Sequence, residues 1–479
     1  MGEVSAEPGW VDADSLRTSF TMAMSNMYRS EVPLYGNLVR IVDEVNNSEI
    51  AQGLDPTVFA MRLGDLDASR IHLERHGAIR LGIPEELRTI RRVFALIGLH
   101  PVGYYDLSKA GLPMHATCFR PTTAQSLRKN PFRVFTSLLR LELLREESSR
   151  IIAGKLLSKR RIFSDKLLQL LDISDVQNGK LTPKQGDDFI LEVMKAFSWS
   201  GTASCSKEDY EILKNEHPIL ADIACFQTAH INHLTPRTLD INAAQAKMEQ
   251  QGMKVKDRIE GPPTRSCPIL LRQTSFLAIE ENIKFLGGEA VSDQVLDSGT
   301  HKARFGEIEE RGAAVTRAGR VLYDQLFDEI VAFESKQAES LSQNAFHELV
   351  TQAFTKYPDN WRELRQRGLI YYTIQLTRKG EQAKLASPTV ELETLLKDGL
   401  VEEFPITYED FLPLSAAGIF QSNLDSGSPR YAAAEPDVQG MEAALGVSLL
   451  DSDALYERIQ KDSITKCEIA LETGIKTTR

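Results

Sequence analysis

Apolar positions in the first fifty residues recur at helical spacing. Leu16, Phe20, Met24 and Met27 share one face, with Ser15 placed to cap that helix, and Leu38, Val39, Val42 and Val45 repeat the pattern after Pro33. Such a stripe faces a core. From residue 76 the period shortens. Residues 76–82 read as a glycine-bounded strand, and Pro84 opens a helix with Leu87, Ile90, Phe94 and Ile97 on one side, closed by Gly98. Residues 102–107, 114–119 and 132–144 follow as strands. A β-α-β-β-β order in so short a span predicts a curved antiparallel sheet with a helix on its outer face. Residues 147–220 read as amphipathic helices, 187–197 among them, and strand-like pieces return at 223–226, 268–276, 303–309 and 369–376, with a helix over 316–333. No fixed-period repeat appears, and the Pro/Gly-rich connection 260–264 is too short for an interdomain linker. The expectation is one α+β unit over 1–479: N-terminal helices over 1–60, a sheet core with helical insertions over 61–425, and a C-terminal helical segment over 426–479.

Composition narrows the class. The 479 residues are 42% hydrophobic and 26% charged, the balance of a folded chain, and 56 Lys+Arg against 67 Asp+Glu give a net charge of −11. An acidic surface argues against general binding to nucleic acid or anionic membrane, since counterion release needs a basic one. The longest stretches without a charged residue, 223–236 and 411–424, are too short to cross a bilayer. Residues 1–14 are acidic and lack both an apolar signal core and an Arg-rich transit pattern. Five scattered cysteines (Cys118, Cys205, Cys225, Cys267 and Cys467) with no C-x-x-C pair argue against a disulfide framework or a thiolate zinc site. A cytoplasmic protein in a reducing compartment is the expectation.

Four segments could carry chemistry, while the P-loop, dinucleotide, zinc-protease and nucleophile-elbow signatures are absent. In ERHGAIR (74–80), a strand would put His76, Ala78 and Arg80 on one face and Ile79 on the other. An imidazole and a guanidinium over a small Ala suit a polar pocket, as metal ligand or base beside a carboxylate clamp. A surface strand with a loose ion pair fits them too. HINHLTPR (230–237) offers His230 and His233, either of which could serve a 2-His-1-carboxylate site while the other orients or packs. RFGEIEERG (304–312) puts Glu307 and Glu309 on one face, ordinarily solvated carboxylates, with Gly306 permitting a close backbone approach to a buried centre. YEDFLPLSAAGIFQSNL (408–424) is rich in small residues around Ser415 and Gly418, which fits an anion-binding loop or a tightly packed one.

Together with EVPLYG (31–36), PVGYYDL (101–107), FRVFTSLLRLE (132–142) and EGPPTR (260–265), these segments resemble the 2-oxoadipate dioxygenase/decarboxylase family. These are enzymes of lysine catabolism whose fold is related to the vicinal-oxygen-chelate metalloenzymes. The resemblance implies a curved sheet or partial β-barrel with extensive helical insertions. It implies Fe(II) held by His76, His233 and Glu307, which settles the choice against His230 and Glu309. It also implies that Arg80 grips the substrate, that His76 borders it, and that Leu414 and Ser415 close the pocket over it. The implied partners are a small 2-oxo dicarboxylic acid and dioxygen, with no nucleic acid and no membrane. The implied reaction takes 2-oxoadipate and dioxygen to 2-hydroxyglutarate and carbon dioxide, with no separate 2-oxoglutarate co-substrate. Leu414 stands where bacterial relatives are expected to carry Val, and the connection 287–299, read as a surface loop, looks longer than theirs. A dioxygen-independent lyase or isomerase on the same scaffold, or a non-catalytic dicarboxylate-binding protein, would be the competing readings.

Overall fold

The N-terminal stripe folds as two helices, Ala13–Glu31 and Pro33–Gln52. The cap of the first is Asp12 rather than Ser15: its side chain accepts from the backbone N–H of Ser15. A carboxylate at that position satisfies an orphaned donor and suits the positive helix end better than a hydroxyl one turn later. The computed structural model describes residues 9–63, 74–286, 295–334, 343–385, 387–412 and 434–477. Phe20, Tyr28, Leu38 and Val42 of the two helices are buried in one cluster with Ile79, Leu234, Phe276 and Ile308, which line the convex side of a sheet. Apolar burial of this kind contributes about 25 cal/mol per Å² and fixes which face of each strand looks inward.

Ten strands position the site: β1 (Glu74–Leu81), β2 (His100–Asp106), β3 (Met114–Arg120), β4 (Arg133–Leu139), β5 (Thr202–Ala203), β6 (His233–Pro236), β7 (Leu271–Ser275), β8 (Glu280–Leu286), β9 (Val295–Lys302) and β10 (Phe305–Arg311). Among the described residues, seven of them curl into a half-barrel in the order β2-β3-β4-β1-β6-β10-β7. The α+β plan of a curved sheet with helical insertions is therefore present, with one refinement: β1–β4 and β6–β10 are parallel while the other pairs are antiparallel. The physical reason lies in the connections. The helix Pro84–Leu96 carries the chain back so that β2 runs with β1, and two reversals then leave β4 running with β1 as well.

The second half repeats this order. β6 is followed by the helix Ile241–Gln250, then by residues 255–260, which touch β7 side through two antiparallel bridges, then by β7 and β10. A small separate sheet, β5-β8-β9, is inserted before β10.

Most elements fall where the residue pattern puts them, including the helices Pro183–Phe197 and Arg317–Glu334 and the strand Tyr372–Leu376. Three do not. The strand expected over 132–144 ends at Leu139, and a 3-10 turn Leu141–Leu143 follows. Residues 223–226 are no strand but the end of the helix Pro218–Ala224, because a short apolar run is compatible with either buried element. Of the expected loop 287–299, residues 295–299 belong to β9 and the rest lies outside the described residues. No helix among the described residues is long and apolar enough to cross a membrane.

Candidate active site

The concave face of the half-barrel is polar because of an irregularity in β1. Its pairing with β6 steps from Glu74↔Pro236 to His76↔Thr235, so Arg75 is an extra residue, a β-bulge. Glu74 thus turns to the helices, accepting from Ser25 and Tyr35, while Arg75 and His76 both reach the inner side. Beyond the bulge, regular alternation keeps Ala78 and Arg80 on that side and sends Ile79 to the core. Register then fixes the neighbours: His233 lies across from Ala78 and beside Phe305, and Glu307 follows two residues along β10.

His76, His233 and Glu307, all buried, offer three ligand atoms within 4.8 Å of one another. Nε2 of His76 is 2.8 Å from Oε1 of Glu307, and the two imidazole rings stand nearly perpendicular with centroids 5.5 Å apart. Thr235 and Gln273 hold Oε1 of Glu307 at 3.1 and 2.6 Å. Among the described residues, Oε2 of Glu307 and Nδ1 of His233 have no hydrogen-bond partner. Leaving such buried atoms unsatisfied costs about 1–3 kcal/mol each, and a bound cation relieves that cost. Burial, with His76, Arg80 and Lys256 nearby, pushes the His233 pKa well below its ordinary value, so its imidazole is the neutral form a metal needs. The donor set fits a metal ion. His233 stacks on Phe305 at 4.7 Å, and Phe411 meets His76 edge-on at 4.7 Å.

Glu309 sits on the other side of His76. Its Oε2 lies 2.9 Å from Nδ1 of His76, though the pair is not aligned as a hydrogen bond. Arg133 at 3.0 Å and Arg311 at 2.7 Å bind the same carboxylate. Burial alone would raise the Glu309 pKa, but Arg133, His76 and Arg75 outweigh it and bring it down to about 2. Arg75 and Arg311 also reach Glu409, and Arg120 grips Asp410 through two nitrogens at 2.7 and 3.1 Å. Both glutamates expected to be solvated are fully buried. The Cβ that Gly306 lacks would meet Phe276 and Leu38, so its close approach is to the helical side and not to the polar centre.

Arg80 lies further along β1, its Nη1 2.5 Å from Oδ2 of Asp222. His230 belongs with it, since its Nε2 is 3.0 Å from Oδ1 of Asp222.

A family model described as 2-oxoadipate dioxygenase/decarboxylase matches residues 20–423. The chain belongs to the 2-oxoadipate dioxygenase/decarboxylase family. Relatives of that name include one from Escherichia coli (strain K12), 43% identical over 459 residues covering 95% of this chain and 98% of the relative. Another, from Pseudomonas putida, is 44% identical over 468 residues covering 97% and 98%. The fold matches the crystal structure of the hydroxyglutarate synthase in complex with 2-oxoadipate from Pseudomonas putida, with TM-score 0.85, 42% identity, and 97% and 99% of the two chains covered.

Of the residues that the family resemblance singled out, His76, His233 and Glu307 meet at one point and Arg80 lies on the same strand as His76. Leu414 and Ser415 lie outside the described residues, two and three positions after Leu412. Sequence reasoning missed Thr235, Gln273, Asp222 and His301. Asp222 did leave a trace, as the lone charge in the apolar run from Pro218 to Phe226.

Proposed function

We propose that this chain converts 2-oxoadipate and dioxygen to 2-hydroxyglutarate and carbon dioxide, with a ferrous ion held by His76, His233 and Glu307. The observation that carries this reading is the buried set of two imidazoles and one carboxylate, within 4.8 Å, on adjacent strands that also bear Arg80. Ferrous iron bound there would supply the redox chemistry by which dioxygen oxidises a 2-oxo acid.

The chain supplies the rest. Thr235 and Gln273 hold one oxygen of Glu307 and leave the other for the ion. Arg80 grips the distal carboxylate of the substrate, a charge-assisted contact of roughly 1.5–3 kcal/mol that fixes which carbon faces the reaction. Phe305 and Phe411 pack the two imidazoles and exclude water from them.

Reconstitution with ferrous iron, followed by oxygen uptake and product analysis on 2-oxoadipate, tests the reaction. One dioxygen consumed and one carbon dioxide released per 2-hydroxyglutarate is the expected result. Turnover without dioxygen would instead make the protein a Lewis-acid lyase or isomerase. Tight binding with no carbon dioxide release would make it a binding protein. His76→Ala, His233→Ala and Glu307→Ala are each expected to lose bound iron, and His230→Ala to keep it, by metal analysis of the purified proteins.

A further inference from the structure

Asp222 is a buried carboxylate with every acceptor position occupied. Its Oδ1 meets Nε2 of His230 at 3.0 Å and Nε2 of His301 at 2.9 Å, and its Oδ2 meets Nη1 of Arg80 at 2.5 Å and Nδ2 of Asn232 at 3.3 Å. Tyr210 holds Nδ1 of His301 at 2.9 Å, while Trp199 stacks on His301 and packs edge-on against His230. The hub draws on four distant parts of the chain: Arg80 on β1, Asp222 at the end of a helix, His230 and Asn232 before β6, and His301 on β9.

We infer that Asp222, locked in place by His230 and His301, is the positioning residue that aims the Arg80 guanidinium at the substrate's distal carboxylate. This rests on the reading above in which Arg80 makes that contact. A guanidinium presents its donors as a rigid planar fork, so fixing one edge fixes the direction of the others. A carboxylate that is itself held by three further donors is a stiffer anchor than a lone one. The geometry also resembles a 2-His-1-carboxylate metal site, since Asp222, His230 and His301 have ligand atoms within 4.8 Å. Charge decides against that use. Arg80 already neutralises Asp222, so a divalent ion would stand against a buried cation with no net anion to hold it. In this arrangement both histidines face Asp222 through Nε2, and the Tyr210 hydroxyl sits between Nδ1 of His301 and the backbone carbonyl of Thr300, to which it donates at 3.2 Å.

The test compares Asp222→Asn, Arg80→Ala and the double variant in the iron-loaded enzyme. Substrates are 2-oxoadipate and 2-oxohexanoate, which has the same length but lacks the second carboxylate. Asp222→Asn is expected to raise KM for 2-oxoadipate about tenfold and to cut the kcat/KM preference for it over 2-oxohexanoate by a similar factor, the size of one charge-assisted contact. The double variant is expected to be no worse than Arg80→Ala, because a residue acting through Arg80 has nothing left to position. His301→Ala is expected to shift the same preference by about two- to fivefold, and His301→Gln, whose amide donor reaches where Nε2 was, to restore it. That pair decides the matter if Asp222→Asn does not fold. An Arg80→Ala enzyme with unchanged preference would remove the role assigned to Arg80 itself. If Arg80→Ala loses the preference while Asp222→Asn or His301→Ala keeps it, Asp222 is not its positioning residue. Additive effects in the double variant, or a second equivalent of metal lost on His230→Ala, would overturn the inference as well.

Discussion

His76 touches two carboxylates with different jobs. Among the described residues no arginine or lysine pairs with Glu307 and its Oε2 is unpartnered, whereas Glu309 is clamped by Arg133 and Arg311. Replacing them should therefore separate metal binding from stability. Glu309→Gln leaves buried arginines short of a counter-charge and is expected to cost about 3–5 kcal/mol of unfolding free energy in urea. Glu307→Gln is expected to stay within about 1 kcal/mol of the parent and to lose iron. Equal stability losses in the two variants would contradict this division. The distinction was not legible from the local residues. Alternation puts Glu307 and Glu309 on one face of β10, and what separates them is Arg133, which arrives from β4. Only the family resemblance selected Glu307 over Glu309 and His233 over His230. Asp222 and His301 escaped notice because their partners come from elements far away in sequence.

At the scale of elements, the local pattern was readable where chemistry and period agreed. β1, the helix Pro84–Leu96, β2 and β3 follow the glycine, proline and apolar spacing closely. It failed at 223–226, where an uncharged run looks alike as strand or helix end, and it could not show the bulge at Arg75, which depends on pairing with β6. β10 packs tightly against its neighbours at Gly306. A methyl group at Gly306 would sit 2.5 Å from the Phe276 ring and 2.7 Å from a Leu38 methyl, so in Gly306→Ala either those side chains or the strand itself must shift. It is expected to cost about 1–3 kcal/mol and to weaken iron binding through displacement of Glu307. A lower urea midpoint together with reduced iron content checks it, and unchanged iron content would show that β10 absorbs the strain without moving its ligand.

The whole molecule places two β-α-β-β-type halves side by side, joined by the antiparallel pair β1–β6, so that ligands from both halves meet at the seam. The first half was visible as a compact run of elements. The second was not, because its strands β6, β7 and β10 are separated by inserted helices and the β5-β8-β9 sheet. The polar residues enclosed in the fold also set its response to acid. Burial, aided by nearby Arg140 and Arg80 respectively, pushes His115 and His217 down to about 4. The unfolded chain takes up these protons near pH 6.5 while the folded chain refuses them, so the stabilisation is fully present above 6.5 and is lost as pH falls towards 4. Each group contributes up to about 1.4 kcal/mol per pH unit in that window. A Tm that falls from pH 7 to 4 is expected, and a rising one would contradict the burial of these histidines.

A single ferrous ion shared by three side chains from three strands would show itself by anomalous diffraction at the iron edge, in crystals of the iron-loaded enzyme. One peak per chain is expected, at about 2.0–2.2 Å from a ring nitrogen of His76, a ring nitrogen of His233 and a carboxylate oxygen of Glu307. A peak seated instead among Asp222, His230 and His301, or none near His76, would contradict it.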